Sequence, residues 1–218
     1  MEFIKTTNLP EQIANMLADK IIRLDLKPDE RIYEAKMARD LGVSQSTIRE
    51  ALRILEKNGL VEIIPRRGTA VSVLTRTYIE WLYDILTEIY GLLARKTMER
   101  FTEEHLALIL DAIHNIEVSA DNDDAEGYYN GIFAYAAVAL KIVDSRLLEK
   151  IIMDLWPNKR RIEFITISYR KLVLRDNLKY FQLLRGHIKE RNTEMVEKTT
   201  RDYIQNEKRI AIEVIIGP

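Results

Sequence analysis

The stretch LGVSQSTIREALRILEKNGLV, residues 41–61, decides the fold of the first part of this chain. A glycine lies near each end, and a helix-length amphipathic segment lies between them. Its apolar residues recur at the spacing of one helix face: Ile48, Ala51, Leu52 and Leu55. Polar side chains gather where this segment begins. The first turn of the predicted helix therefore carries more hydrogen-bonding groups than a single N-cap needs.

The sequence also predicts the elements on either side of this stretch. Asn8 can cap an earlier helix with Pro10 in its first turn, and a short helix over 34–41 should end where Gly42 adopts a left-handed conformation. After the stretch, LVEII and TAVSVL flank the tight PRRG segment, which predicts a β-hairpin. Three helices followed by a hairpin within residues 1–74 predict a winged helix-turn-helix domain.

The polar start of the third helix fits a surface that reads DNA. A helix that enters the major groove presents its N-terminal side chains to base edges, where glutamine pairs with adenine and arginine with guanine. Serine and threonine reach phosphates or bases. The candidate DNA-binding residues are Ser44, Gln45, Ser46, Thr47, Arg49 and Arg53 in the helix, and Arg66, Arg67 and Gly68 in the hairpin turn. Taken alone, the helix-start cluster is better explained by capping, but the order of the surrounding elements favours DNA binding.

The remainder of the chain, residues 75–218, is helical in pattern throughout. Apolar residues step by threes and fours over several turns, which predicts an all-helical bundle of about six or seven helices. Pro157 is expected to break or kink one of these helices, and an interruption near Asp176 is possible in another. The predicted fold class is therefore mainly α, with a winged domain followed by a bundle.

Composition and motifs exclude several classes of protein. The formal net charge is -1 at pH 7, so any surface for nucleic acid must be local. The chain has no cysteine, and its longest apolar run is too short to cross a bilayer, which predicts a soluble cytoplasmic protein without a membrane partner. It also carries no nucleophile elbow, phosphate loop or dinucleotide fingerprint. We therefore expect that the protein is not an enzyme.

The first third of the chain resembles a known family. LGVS, IREAL, NGLV and PRRG follow the pattern of the GntR family of bacterial transcriptional regulators, and the helical remainder resembles the FadR C-terminal domain (FCD) class. The family commonly has arginine where this chain has Gln45, whereas Arg49 keeps the family's second arginine. The resemblance implies a homodimer that binds a pseudo-palindromic DNA operator and responds to a small-molecule effector.

Many members of the FCD class hold a divalent metal with one aspartate and three histidines. The first two matching positions are Asn130 and Ala134 or, in an alternative alignment, Gly131 and Tyr135. The other two fall near Phe181 and Tyr203. None of these side chains is a carboxylate or an imidazole, and the chain's histidines lie elsewhere: His105, His114 and His187. The resemblance therefore predicts an effector domain with no metal and no cofactor.

The matching positions define a candidate ligand-binding set that is aromatic and apolar with a few hydrogen-bonding tips: Leu86, Tyr90, Asn130, Phe133, Phe181 and Tyr203. Such a lining predicts a larger, more apolar effector, as in the metal-free fatty-acid-responsive member of the class. An alternative is that these are core residues around a collapsed pocket. Two other functions are alternatives: a constitutive architectural dimer without an effector, and a helical-bundle metalloenzyme with a nucleic-acid-binding head.

Overall fold

The computed structural model describes residues 8–169 and 172–217, apart from the side chains of residues 169, 172 and 173. The chain divides into two compact units. The first comprises Met1–Leu74 together with Asp154–Ile162, and the second comprises Thr75–Met153 together with Glu163–Pro218. A short piece from the later half of the chain thus belongs to the first unit, which the sequence pattern did not predict.

Three helices form most of the first unit: α1 (Leu9–Ile22), α2 (Glu34–Leu41) and α3 (Gln45–Lys57). The Asn8 side chain accepts a hydrogen bond from the backbone N–H of Glu11, which confirms the predicted cap of α1. Gly42 ends α2 with a φ of 66°, a left-handed conformation that glycine adopts without a steric penalty. These local predictions are confirmed. Each depends only on residues that are close along the chain, so the sequence contains the information needed to make it.

The sheet of the first unit has three short antiparallel strands: β1 (Arg31–Ile32), β2 (Val61–Ile64) and β3 (Gly68–Val71). β2 and β3 form the predicted hairpin, with Val61 opposite Val71 and Ile64 opposite Gly68. β1 pairs with the other side of β3 and was missed. A strand of two residues is too short to show the alternation by which strands are recognised in a sequence.

The core of the first unit seats α3. Ile48, Ala51 and Leu52 are fully buried, and they belong to one apolar cluster with Leu17 of α1 and Val71 of β3. The amphipathic stripe predicted for this helix therefore faces the core. The opposite face of α3 is exposed to solvent. Only the side chains on that face can contact a partner.

The second unit is built from helices: α4 (Arg76–Glu99), α5 (Glu103–Asp121), α6 (Ala125–Val143), the two ends of α7 (Arg146–Tyr169), α8 (Leu172–Lys189) and α9 (Thr193–Ile215). α4 packs against α6 and α9, α5 against α6 and α8, and α8 against α9. The predicted mainly-α fold class is confirmed. In the described part of the chain, no helix combines the length and apolar character needed to cross a bilayer.

Two predicted helix interruptions, a break at Pro157 and one near Asp176, are wrong, whereas a kink at Pro157 stays a prediction. Pro157 lies inside α7, which continues to Tyr169, and Asp176 lies inside α8. Proline removes a helix hydrogen bond, but the helix continues where packing stabilises it. Trp156 and Asn158, the neighbours of Pro157, are both buried. Burial of this segment thus outweighs the tendency of proline to break a helix. The sequence pattern alone did not show that the segment is buried.

Candidate DNA-binding surface and bundle cluster

The first turn of α3 contains both a cap and exposed polar groups. The Ser44 hydroxyl accepts a hydrogen bond from the Thr47 backbone N–H at 3.1 Å, and it lies 2.7 Å from the hydroxyls of both Ser46 and Thr47. Gln45 and Ser46 are exposed, and Thr47 is half-buried. Ser44 therefore acts as the helix cap, and the long exposed side chain of this turn is Gln45.

Arg49 lies one turn along α3 and pairs with a residue that sequence reasoning missed. Its Nε and Nη2 donate to one carboxylate oxygen of Glu34, at 3.2 and 3.0 Å. Both side chains are partly exposed, and such pairs contribute only about 0 to 1 kcal/mol to stability. The main effect of this pair is therefore to orient the Arg49 side chain, not to stabilise the fold. From the sequence, Glu34 is recognisable only as an acidic residue in the first turn of a helix, where such residues are favourable.

The hairpin turn carries three of the predicted residues. Arg66, Arg67 and Gly68 are all exposed, and the backbone N–H of Arg67 donates to the carbonyl of Ile64 at 3.0 Å. Arg66 has a φ of 65° and Gly68 a φ of 84°. Left-handed backbone is unusual for arginine, because the side chain crowds the following carbonyl oxygen in that conformation. Arg53, the remaining predicted cation, is exposed on α3.

We expect replacement of both Arg66 and Arg67 by alanine to weaken DNA binding and to flatten its salt dependence. Each phosphate contact that is lost should reduce the slope of log affinity against log salt by about 0.9. The measurement is a DNA-binding titration at several salt concentrations. Arg175→Ala is the control, because it removes one exposed cation from the second unit. An unchanged slope in the double variant would show that the turn does not contact phosphate.

Most of the predicted ligand-binding residues are buried in the second unit: Leu86, Tyr90, Phe133, Phe181 and Tyr203. The Phe181 ring lies at its centre, 5.1 Å from the Tyr203 ring, 6.0 Å from Tyr135 and 6.4 Å from Tyr128. Phe133 contacts the Tyr129 ring, at 5.3 Å. Asn130 is exposed and is not brought into this set. Of the two alignments considered, the one with Tyr135 therefore fits the buried rings.

The buried set is more polar than predicted. Glu207 on α9, Asn177 on α8 and Glu163 on α7 are each at most 2% exposed. Asn177 donates through its amide nitrogen to Glu207 and accepts at 2.7 Å from the amide of Asn206. Helix spacing could have indicated two of these residues. Glu207 follows Tyr203 by four residues and Asn177 precedes Phe181 by four, so each lies on the same helix face as its aromatic neighbour. An aromatic and apolar lining is therefore an incomplete description.

The tyrosine hydroxyls next to these carboxylates are held in their protonated form. Burial raises the pKa of Tyr83, Tyr128 and Tyr203 well above the ordinary value, and the carboxylates of Glu163 and Glu207 raise each further. Among the described residues, the hydroxyls of Tyr128 and Tyr203 form no hydrogen bond of normal geometry. Asn177 and Tyr203 lie close enough to Tyr128 to partly offset the rise in its pKa. These hydroxyls remain able to donate and accept.

The donor set at the positions matched to metal ligands does not fit the aspartate and histidine site of the class. Within residues 8–169 and 172–217, no group of three or more histidine, aspartate or glutamate side chains is arranged to hold a metal ion. The Nδ1 atom of His105 accepts from the backbone of Thr102 in a capping box. His114 is exposed, and His187 lies 3.8 Å from Glu190. A metal-independent domain remains a prediction.

Comparison with known families assigns the chain to a class. Residues 9–71 match the bacterial regulatory proteins of the gntR family, and residues 81–206 match the FCD domain. The winged fold, the helical bundle and these two matches define a DNA-binding transcriptional regulator. The chain belongs to the GntR family and carries an FCD domain, which confirms the resemblance noted in its sequence.

Individual relatives agree with this assignment. The chain is 33% identical over 111 residues to the uncharacterised HTH-type transcriptional regulator YdhC of Bacillus subtilis, covering 51% of this chain and 50% of that protein. It is 22% identical over 203 residues to the HTH-type transcriptional repressor RspR of Escherichia coli, covering 92% and 87%. The structure of E. coli McbR/YncC superposes with a TM-score of 0.78 over 95% of this chain and 99% of that one, at 19% identity. At that identity the superposition shows the fold alone.

Proposed function

We propose that this regulator is a homodimer that reads a pseudo-palindromic operator with α3 and the hairpin turn. The observation that carries the proposal is the two-sided character of α3. Ile48 and Leu52 are fully buried, whereas Gln45, Arg49 and Arg53 are exposed on the same helix. A helix seated in this way can present its first turns to the major groove while its apolar face holds it in place.

Each exposed residue has a defined role in this proposal. Gln45 and Arg49 contact base edges, with glutamine favouring adenine and arginine favouring guanine. Arg53, Arg66 and Arg67 contact phosphates and supply the salt-dependent part of the affinity. Gly68 allows the turn to approach the backbone of the duplex. The formal net charge of -1 is compatible with this, because only the reading face needs to be basic.

Gln45→Arg is expected to change the preferred base at one position of each half-site from adenine to guanine. The reason is that glutamine matches the donor and acceptor pattern of adenine, whereas arginine matches that of guanine. The measurement is selection of binding sites from random DNA, with the wild-type protein and the variant in parallel. This selection also tests the proposed function, because it requires the protein to enrich a pseudo-palindrome.

Gln12→Arg is the matched control, since it makes the same change at an exposed position of α1. It should leave the selected sequence unchanged. If the wild-type protein enriches no sequence, the proposal of a sequence-specific regulator fails. If Gln45→Arg and the wild type select the same sequence, Gln45 does not read a base.

We further propose that residues 75–218 dimerise the protein and bind a small-molecule effector without a metal, while residues 1–74 bind DNA. An effector changes operator affinity only through a difference in its affinity for the two arrangements of the dimer. The buried Tyr128 and Tyr203 hydroxyls support a ligand site. A constitutive dimer is the alternative, and it predicts no small molecule that alters operator affinity. A cytoplasmic location and the absence of catalysis remain predictions.

A further inference from the structure

Helix α4 carries two apolar faces, and only one of them is buried in the bundle. Leu82, Leu86 and Leu93 are at most 4% exposed and lie inside the second unit. On another face of the same helix, Trp81 is 67% exposed and Ile85 is 45% exposed. Single apolar residues at a surface are common, but a large aromatic ring beside a second exposed apolar side chain marks a surface that contacts a partner.

The exposed apolar residues of α4 form one stripe, defined here as the α4 face: Tyr78, Trp81, Ile85 and Leu92. They follow one another by three, four and seven residues, the spacing that aligns side chains along one side of a helix. Tyr78 is exposed and Leu92 is partly buried. At a rise of about 1.5 Å per residue, the stripe extends for about 21 Å along the helix axis.

The α4 face is symmetric about its middle. Ile85 lies seven residues from both Tyr78 and Leu92. Two antiparallel copies of the helix, related by a twofold axis near Ile85, would bring Tyr78 of each copy next to Leu92 of the other. Trp81 would meet Ile89, which is apolar and partly buried. The face is therefore self-complementary, which is the requirement for a contact between two identical surfaces.

The area of the α4 face also fits a second copy. Tryptophan and tyrosine side chains have surfaces of about 150 to 250 Å², and at their exposed fractions Trp81, Tyr78 and Ile85 together present about 300 Å². Two such faces supply about 600 Å², and since interfaces of identical subunits are about 65% apolar, the whole contact would bury about 1,000 Å². This area reaches the lower limit for a specific interface between proteins.

Ion pairs between α4 and α9 lie beside the α4 face. Asp84 accepts from Lys208 at 2.7 Å, and Glu88 accepts from Arg201 at 2.6 Å. These charges are paired within the chain, so the face needs no charged ligand, and a polar rim around an apolar centre is typical of subunit interfaces. Antiparallel pairing about Ile85 also keeps the two copies of Glu88 about 9 Å apart along the helices, so these like charges do not meet.

We propose that the α4 face binds a second copy of this chain, with two α4 helices packed antiparallel around a twofold axis near Ile85. Trp81 is the main anchor of this contact, because large aromatic side chains near the centre of an interface carry much of its binding energy. The inference rests on the proposed homodimer and names the surface that forms it. A different protein as the occupant of this face predicts instead that the purified chain is a monomer.

Trp81→Glu tests the contact by sedimentation equilibrium of the purified full-length protein over a range of concentrations. Each dimer loses the ring twice and gains two carboxylates, so the dissociation constant of the dimer should rise at least about 100-fold. Leu108→Glu is the matched control. Leu108 is 55% exposed on α5, which packs against α6 and α8, and its replacement should leave the constant unchanged. Circular dichroism confirms that both variants are folded.

A second test uses the absence of cysteine from the chain. Ile85→Cys places one thiol at the proposed axis, where the two copies come within the roughly 7 Å between Cα atoms that a disulfide needs. Mild oxidation should link this variant into a covalent dimer much faster than Leu108→Cys at the same concentration. Glu88→Cys should also be slower than Ile85→Cys, because its two copies are about 9 Å apart along the helices.

The inference is wrong if the wild type is a dimer and Trp81→Glu has the same dissociation constant, or if Ile85→Cys is linked no faster than Leu108→Cys. In either case the proposed homodimer remains and forms through another surface. A wild type that is monomeric at every concentration contradicts both the α4 contact and the proposed homodimer. The selection of binding sites described above then shows independently whether the monomer recognises a DNA sequence.

Discussion

Arg161→Ala is expected to lower the free energy of unfolding of the first unit by about 2 to 4 kcal/mol, through a lost side chain and a buried carbonyl left without a donor. Arg161 is fully buried. Its Nη1 donates to the Ser72 hydroxyl at 3.1 Å and its Nη2 to the Ser72 carbonyl at 2.9 Å. Ser72 in turn donates to the Gly59 carbonyl at 2.7 Å, so these bonds connect the end of the hairpin with the end of α3.

The neighbouring Asn158 makes the same kind of contact. Its amide donates at 2.7 Å to the carbonyl of Asn58, the C-cap residue of α3. The last carbonyls of a helix lack donors within the helix and carry a partial negative charge, so the Asn158 amide stabilises this end directly, whereas Arg161 acts through Ser72. Losing Arg161 should therefore loosen both α3 and the start of the chain that follows the hairpin.

Urea denaturation followed by circular dichroism measures this effect. Arg146→Ala is the matched control, because it makes the same substitution at an exposed position in the first turn of α7. Its midpoint should stay close to that of the wild type. The midpoint of Arg161→Lys should lie between those of Arg161→Ala and the Arg146→Ala control, since lysine keeps the charge but cannot reproduce the two directed bonds. An unchanged midpoint for Arg161→Ala would refute the stabilising role.

Arg49→Ala is expected to weaken operator binding by about 1 to 3 kcal/mol, or roughly 5- to 150-fold, which is the range for one bidentate contact to guanine. The pair with Glu34 is partly exposed, so the same substitution should change stability by about 1 kcal/mol or less. A large effect on affinity with a small effect on stability identifies a residue that contacts DNA. Affinity is measured by titration of the selected operator at fixed salt.

Glu34→Gln tests whether the carboxylate positions Arg49. It leaves the arginine in place but weakens the two bonds that hold it, so its effect on affinity should be smaller than that of Arg49→Ala. Arg175→Ala is the control for loss of one exposed cation, because Arg175 pairs with Asp123 in the second unit. If Arg49→Ala and Glu34→Gln weaken binding equally, Arg49 acts only through its pair with Glu34.

Features that depend on nearby residues were predicted well. The caps of α1 and α3, the left-handed Gly42, the hairpin and the apolar stripe of α3 all follow from short stretches of sequence. The predictions that failed involve competition between local and distant effects. Pro157 was expected to interrupt a helix, yet α7 continues through it because the segment is packed into the first unit.

The candidate ligand-binding set shows a different kind of omission. Family positions pointed to Phe181 and Tyr203, and both are buried among aromatic rings. The same positions pointed to Asn130, which is exposed. Matching by position carries no information about the residues one helical turn away, so Asn177 and Glu207 were missed. Their burial adds an amide and a carboxylate to a set that the family positions predicted to be mainly aromatic and apolar.

The sequence by itself determined the family, the order of the three helices and the hairpin in the first part of the chain, and the residues that α3 and its hairpin can expose, because periodicity, caps and turns arise between close neighbours in the chain. Tertiary structure alone decided which distant groups meet. Glu34 and Arg49 are 15 residues apart in the sequence, Asn177 and Glu207 are 30 apart, and Ser72 and Arg161 are 89 apart. Such pairs leave no local pattern, since packing of whole helices brings them within bonding distance.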